Sequence, residues 1–286
     1  MSGNSVRPGL YATMRNEMLL RGYSRKTIKS YLSWIRSLVE FSSPKHPRDL
    51  QNEDIRVYFV HLIKDKRLAY STVNQAFNAI RFLYVDIYKK EFVIESIPRP
   101  KKGKSLPVPL THEEIKRIID VTVNIKHKAV LMVSYSGGLR LSEVVNLTPA
   151  DIDGQRKFIF VRSGKGRKDR YTLISDAALD ILRVYYKAYK PVKWLFEGKK
   201  RGKKYSTRSV EKIVEKASEK AGIIKRVSHH TLRHSFATHL LQSGVGLPHI
   251  KELLGHEHLK TTEIYTHVTS TDLMAIRNPL DMIFRK

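Results

Sequence analysis

Residues 158–174 read FIFVRSGKGRKDRYTLI. Residues 158–161 and 171–174 are runs of aromatic and β-branched side chains, and residues 163–169 between them are polar with glycines at 164 and 166. That pattern predicts two strands joined by a turn. It stands out because the periodicity on both sides is helical. Downstream, helices are expected after Ser175, after Ser206, and around 229–242, 247–254 and 258–267. Upstream, Thr111 and Glu114 have the spacing of a capping box ahead of Ile115, Ile118 and Ile119. An apolar helix over 126–135 is broken at Gly137-Gly138, and another starts near Arg140.

Farther out, residues 11–94 read as helical throughout. Ser24 is a candidate cap for Ile28, Tyr31, Ile35 and Leu38. Asn52 is a candidate for Ile55, Phe59 and Ile63, and Ser71 for Val73, Phe77, Ile80 and Tyr84. No glycine falls between Tyr23 and Pro98 to interrupt them. Then comes IPRPKKGKSLPVP, where Pro98, Pro100, Pro107 and Pro109 alternate with Lys101, Lys102 and Lys104. This is an extended basic linker. The expected organisation is a helical domain over 1–97, the linker over 98–110 and a second domain over 111–286. The fold class is mainly α, with an α+β second domain that carries a small antiparallel sheet.

Composition narrows the partners. The 286 residues hold 53 Lys+Arg against 27 Asp+Glu, a formal net charge of +26, and the pI is about 10.1. Both halves are basic, which points to a polyanion, nucleic acid first. There is no cysteine, so disulfides, thiolate nucleophiles and Cys-ligated zinc are excluded. No apolar run approaches membrane-spanning length, and the N-terminus MSGNSVRPGL lacks a signal-peptide core. A soluble, cytoplasmic protein is expected.

The chemistry-bearing residues sit in SGGLRLSE (136–143), the 158–174 hairpin, HTLRHSFATHLL (230–241) and LLGHEHLKTTEIYTHV (253–268). His230 and Arg233 are three apart on a helix, so one anion can meet both. Arginine suits a phosphate, because its planar fork donates in pairs and keeps its charge. Arg140 stands at a helix start with Glu143 three residues on, able to hold an arginine or the helix start. Lys165 sits between glycines at the hairpin tip, while Lys168 and Arg170 read as solvated turn residues. Alone, His230 and Arg233 fit pairing with local carboxylates, Arg140 fits an ion pair with Glu143, Lys165 a solvated basic turn and Tyr265 a core tyrosine. Together, two arginines, a lysine and a histidine around one tyrosine hydroxyl suit metal-free phosphoryl transfer from DNA to tyrosine. No cofactor is expected. The GxxxxGK[ST] phosphate loop is absent, and HTLRH lacks the glutamate of HExxH, so no metal site is expected. His234 and His239 then read as structural.

These segments, in this order, resemble the tyrosine recombinase (phage integrase) family, and within it the Xer type. The likeness is to a single-protein archaeal-style Xer recombinase. The family's order of Arg, Lys, His-x-x-Arg, His/Trp and Tyr is matched by Arg140, Lys165, His230, Arg233, His256 and Tyr265. The catalytic resemblance covers about 108–270. Residues 11–94 resemble the core-binding, SAM-like domain more weakly. The resemblance implies Tyr265 as nucleophile forming a 3′-phosphotyrosine, with Arg140 and Arg233 on the phosphate oxygens. It implies Lys165 as general acid, His230 in proton transfer, His256 on a non-bridging oxygen and Glu143 in support. For duplex DNA it implies contacts from Arg25, Lys26, Asn74, Asn78 and Arg81, with Lys101 and Lys102 in the linker.

The family also implies a short inverted-repeat site and a homotetramer on two such sites. The amphipathic tail TSTDLMAIRNPLDMIFRK (269–286) would then be exchanged between subunits, the alternative being packing on its own subunit. A DNA translocase is a candidate further partner. Only about ten residues precede the first helix, which favours chromosome dimer resolution at a dif-like site, or a minimal plasmid or mobile-element integrase. A non-enzymatic DNA-binding regulator and a topoisomerase-like nicking-closing enzyme are the competing readings.

Overall fold

Thr111, Ser175 and Ser206 start helices of the second half, as their spacing predicts, and Asn124 and Ser228 do the same without having been anticipated as caps. The computed structural model describes residues 9–90, 108–162, 169–255 and 276–284. The chain divides into two compact units, residues 1–105 and 106–286.

The first unit is helical. α1 (Gly9–Leu20), α2 (Arg25–Ser42), α3 (Asn52–Lys64) and α4 (Tyr70–Arg81) follow in order, and α4 runs on into a wider π-turn over Phe82–Ile87. Ser24 caps α2, its hydroxyl accepting the Thr27 N–H at 3.1 Å. Two starts differ from expectation. The N-cap of α3 is Gln51, one residue before Asn52, and the Asp54 carboxylate accepts the Gln51 N–H at 2.9 Å. α4 begins on Ala69 without a side-chain cap, leaving Ser71 inside the first turn. A cap is worth about 1 kcal/mol. Burying Val73, Phe77 and Ile80 contributes about 1.5–3 kcal/mol each, so the apolar stripe sets where this helix lies. Ile35, Leu38, Ile55, Tyr58 and Tyr84 complete that core, and the Tyr84 hydroxyl donates to the Pro47 carbonyl.

The second unit is built around one buried helix. α5 (His112–Asp120) has the Thr111–Glu114 capping box: Thr111 N–H donates to the Glu114 carboxylate at 2.7 Å, and Glu114 N–H donates back to the Thr111 hydroxyl at 3.2 Å. α6 (Ile125–Ser136) is capped by Asn124 and is buried from Ala129 through Ser136. A helix apolar on every side belongs inside, and the helices over Asp176–Tyr189, His229–Gln242 and Pro279–Phe284 all pack on it. α6 stops at Gly137-Gly138, and one turn of helix, α7 (Leu141–Val144), follows.

The hairpin forms β2 (Phe158–Val161) and β3 (Arg170–Leu173), antiparallel with Phe158 opposite Leu173 and Val161 opposite Arg170. A two-residue strand β1 (Ile152–Asp153), too short to show in the sequence, extends it to three strands in the order β1-β2-β3. Ser175 and Ser206 cap α8 (Asp176–Tyr189) and α9 (Thr207–Lys220). α10 (His229–Gln242) and α11 (Leu247–Leu254) follow. The expected class, mainly helical with a small antiparallel sheet in the second half, is the class observed. The helix expected around 258–267 lies outside the described residues.

Part of the C-terminal tail is described. α12 (Pro279–Phe284) packs on its own unit, with Leu280 fully buried. The Asn278 amide donates to the Ser136 carbonyl at 2.9 Å. The Asp281 carboxylate accepts the Asp176 and Ala177 N–H groups at 3.1 and 3.0 Å, giving α8 a second cap. No helix among the described residues is long and apolar enough to cross a membrane.

His239 is a core residue. Its Nδ1 lies 2.6 Å from the Tyr135 hydroxyl, and its ring stacks on His112 with centroids 3.8 Å apart. Burial and the neighbouring His112 push it down to about 4, against a hydrogen bond to the Leu110 backbone. His229 is equally buried, and burial, His230 and Arg233 push it down to about 4. Between about pH 6.5 and 4 the unfolded chain therefore binds protons that the folded chain refuses. Stability falls as pH drops through that window, by up to about 3 kcal/mol per histidine. Chemical unfolding from pH 7 to 4.5 should show this slope. His239→Gln should be less stable at pH 7 yet lose roughly half the slope; an unchanged slope would contradict the assignment.

Candidate active site

The break after α6 places the first arginine. Gly138 takes φ +55°, a conformation glycine adopts without strain. A Cβ there would stand 2.3 Å from Phe236 Cδ1, a side chain of α10. The chain therefore turns against α10 with no room to spare, and Arg140 becomes the N-cap of α7. Gly138→Ala should cost about 2–4 kcal/mol, from left-handed strain plus overpacking. Chemical unfolding checks this, and a loss below about 0.5 kcal/mol would contradict it.

Glu143, buried at 6% exposure, is the hub. Its carboxylate accepts the Arg140 backbone N–H at 2.7 Å and Arg140 Nη1 at 2.9 Å. Arg170 donates to it through both Nη1 and Nη2, at 2.8 and 2.9 Å. Arg233 Nη1 stands 3.8 Å from it. Three guanidiniums from α7, β3 and α10 thus share one carboxylate. Burial works to raise the Glu143 carboxyl, but the hydrogen bonds and charges of Arg170 and Arg140 outweigh it and hold it below its ordinary value.

The same arginines cap α11. The last carbonyls of a helix lack intrahelical donors and carry partial negative charge. Leu253 O accepts Arg170 Nε at 2.8 Å, Leu254 O accepts Arg233 Nη2 at 2.6 Å, and Gly255 O accepts Arg140 Nη2 at 2.7 Å. Arg233 Nη1 also donates to Gly138 O at 2.7 Å. Gly255 itself is left-handed, at φ +61°, and a Cβ there would come within 2.9 Å of Arg170 Cδ.

The three cations outnumber the one carboxylate. Burial and the repulsion of Arg140 and Arg170 push Arg233 down to about 9 against the pull of Glu143, which leaves it cationic at neutral pH. Arg233 is 3% exposed, whereas the Arg140 side chain is 22% exposed. His230, one turn before Arg233 on α10, is exposed. Desolvation of its ring by the surrounding site, then Arg233, His234 and Arg140, hold it below the ordinary imidazole value, which favours the neutral form that can accept a proton. The described part of the site is thus a cationic floor with a proton acceptor at its rim, able to receive a phosphate group.

Of the predicted residues, Arg140, Glu143, His230 and Arg233 come together. Lys165, His256 and Tyr265 lie outside the described residues, as do Lys101 and Lys102. In the first unit, Arg25 and Lys26 open α2, and Asn74, Asn78 and Arg81 recur along α4. All but the half-buried Asn74 are exposed. Among the described residues no group of three or more His, Asp or Glu is placed to hold a metal.

Arg170 corrects the sequence reading. It is no solvated turn residue: its side chain is 8% exposed and fully engaged. The signal was the strand's period of two, which sets Arg170 on the same face as the fully buried Thr172.

Fold and site together define a protein of mostly helical architecture with a cationic centre suited to a phosphate. The Phage integrase family matches residues 109–272, and the phage integrase N-terminal SAM-like domain matches residues 10–93. The chain belongs to this family, the tyrosine recombinases.

Among its relatives is a putative integrase/recombinase, y4qK, of Sinorhizobium fredii. It is 37% identical over 95% of this chain and 88% of its own length. The tyrosine recombinase XerA of Pyrococcus horikoshii is 36% identical over 89% of this chain and 87% of its own. Among solved structures, a lambda integrase tetramer bound to a Holliday junction superposes with a TM-score of 0.71. It is 14% identical and covers 93% of this chain and 76% of that one, a likeness of fold alone.

Proposed function

We propose that this protein is a site-specific DNA recombinase that cuts and rejoins duplex DNA through a 3′-phosphotyrosine on Tyr265. It acts as a tetramer on two short inverted-repeat sites and passes through a Holliday junction. The observation that carries this reading is the meeting of Arg140 and Arg233, far apart in sequence, at one carboxylate with His230 one turn away. Support for the assembly comes from the likeness to a solved integrase tetramer on a junction.

In the first step the Tyr265 oxygen attacks the scissile phosphorus as His230 takes the phenolic proton. The P–O5′ bond breaks, and Lys165 gives its proton to the leaving 5′ oxygen. Arg140, Arg233 and His256 hold the non-bridging oxygens as negative charge develops there. The phosphotyrosine keeps the bond energy, so a 5′-hydroxyl from the partner duplex reverses the step without ATP. Arg25, Lys26, Asn74, Asn78 and Arg81, with Lys101 and Lys102, contribute contacts to the duplex. Tail exchange between subunits would remake in trans the Leu280 and Asp281 contacts that α12 makes at home.

The biological role that fits best is resolution of chromosome dimers at a dif-like site before cell division, supported by the identity to XerA. Integration or resolution for a plasmid or mobile element is the second reading, supported by the integrase/recombinase relative. The test is to incubate the protein with fragmented source genomic DNA in EDTA, denature, and sequence the covalently held DNA. Adducts should concentrate at one short inverted repeat. Two copies of that repeat on one plasmid should recombine; relaxation of supercoils with no recombinant product would favour a topoisomerase-like enzyme instead.

A further inference from the structure

Arg170 has no part in the reaction just described, yet it is the most fully engaged of the three guanidiniums. It offers both Nη atoms to Glu143 and its Nε to the Leu253 carbonyl. Position in the chain makes these bonds consequential. Arg170 follows Lys165 by five residues, and Leu253 precedes His256 by three, on the segment that leads to Tyr265. One side chain therefore ties the strand that follows Lys165 in the chain to the end of the helix that precedes the tyrosine segment.

Its second effect is electrostatic. The Glu143 carboxylate is buried and must have donors. Arg170 supplies two in the parallel fork geometry that guanidinium and carboxylate share. Without them, Arg140 and Arg233 are the cations left at that carboxylate among the described residues, and each is drawn inward to it. A guanidinium spent on Glu143 has less to offer a phosphate.

We infer that Arg170 is a positioning residue for DNA cleavage: it occupies Glu143 and clamps the end of α11, so that Arg140 and Arg233 are presented to the scissile phosphate. This rests on the proposed recombinase reading. It assigns Arg170 no contact with DNA.

Arg170→Lys keeps the charge but loses the fork and the Nε–H. The full-length variant should form the covalent adduct about 10–100-fold more slowly at saturating DNA. The DNA concentration for half-maximal rate should stay within about twofold, since phosphate contacts elsewhere set affinity. The substrate is the duplex recovered by adduct trapping. Amide exchange in DNA-free protein should quicken over residues 251–255 and not in α6 or α8. In a second pair, Arg170→Gln should be slower still, and Arg170→Gln/Glu143→Gln should regain part of the rate, because the unmatched charge is gone.

An Arg170→Lys protein that matches the parent in rate and exchange overturns the inference. So does a loss of protection spread through every helix with DNA affinity falling in step, which is a plain structural role. If the parent forms no adduct at all, the recombinase reading fails, and with it the positioning role; quickened exchange over 251–255 would then mark only a structural clamp.

Discussion

Tyr265→Phe is expected to eliminate covalent attachment to DNA, a loss of at least about 10⁴-fold, while DNA binding stays within about twofold. The hydroxyl oxygen is the atom that forms the bond to phosphorus, so no neighbouring group compensates for it. Binding is another matter. With a net charge of +26, affinity is spread over many cation–phosphate contacts, and one phenolic hydroxyl adds little to that sum. Gel shift and denaturing gel on the same samples separate the two. Loss of binding in step with cleavage would mean that Tyr265 has a structural role instead.

Arg233→Ala is expected to slow adduct formation by about 10²–10³-fold, the usual cost of removing one donor to a developing oxyanion. It should also cost stability. Arg233 is buried, and its removal orphans the Gly138 and Leu254 carbonyls. Two unsatisfied buried acceptors cost about 1–3 kcal/mol each. Relief of repulsion from Arg140 and Arg170 offsets part of this, so a net loss of about 1–3 kcal/mol is expected. Arg140→Ala makes the useful contrast. Its side chain is partly exposed, so the rate should fall similarly with a smaller loss of stability. Equal stability losses in both variants, or a rate within tenfold of the parent in either, would count against the assignment. The measurements are single-turnover adduct formation and chemical unfolding.

Local chemistry was readable in the sequence, and tertiary chemistry was not. Ser24, Thr111, Ser175 and Ser206 announce helix starts because a cap is made within three residues. Asn52 and Ser71 mislead for the same reason: a cap-forming residue stands next to the true start, and packing of the apolar stripe decides between them. β1 is two residues long and exists only because β2 offers it a partner. Within the site, His230 and Arg233 share a helix face by spacing alone. Their meeting with Arg140 and Glu143 was implied by resemblance, since no local rule joins residues on α7 to residues on α10. Arg170 was read wrongly because it follows a run of sequence rich in lysine, arginine and glycine, and only the fold shows that it points inward to a carboxylate.

The most direct test of the central claim is to identify the atom that joins protein to DNA. The protein is trapped on a nicked duplex carrying the recovered site, in EDTA, then digested with protease and nuclease and analysed by mass spectrometry. The account predicts a single adducted peptide, spanning TTEIYTHV, with a 3′-nucleotide on Tyr265 and a free 5′-hydroxyl on the other DNA end. An adduct on any other residue, or firm binding to the nicked duplex with no adduct, would contradict it.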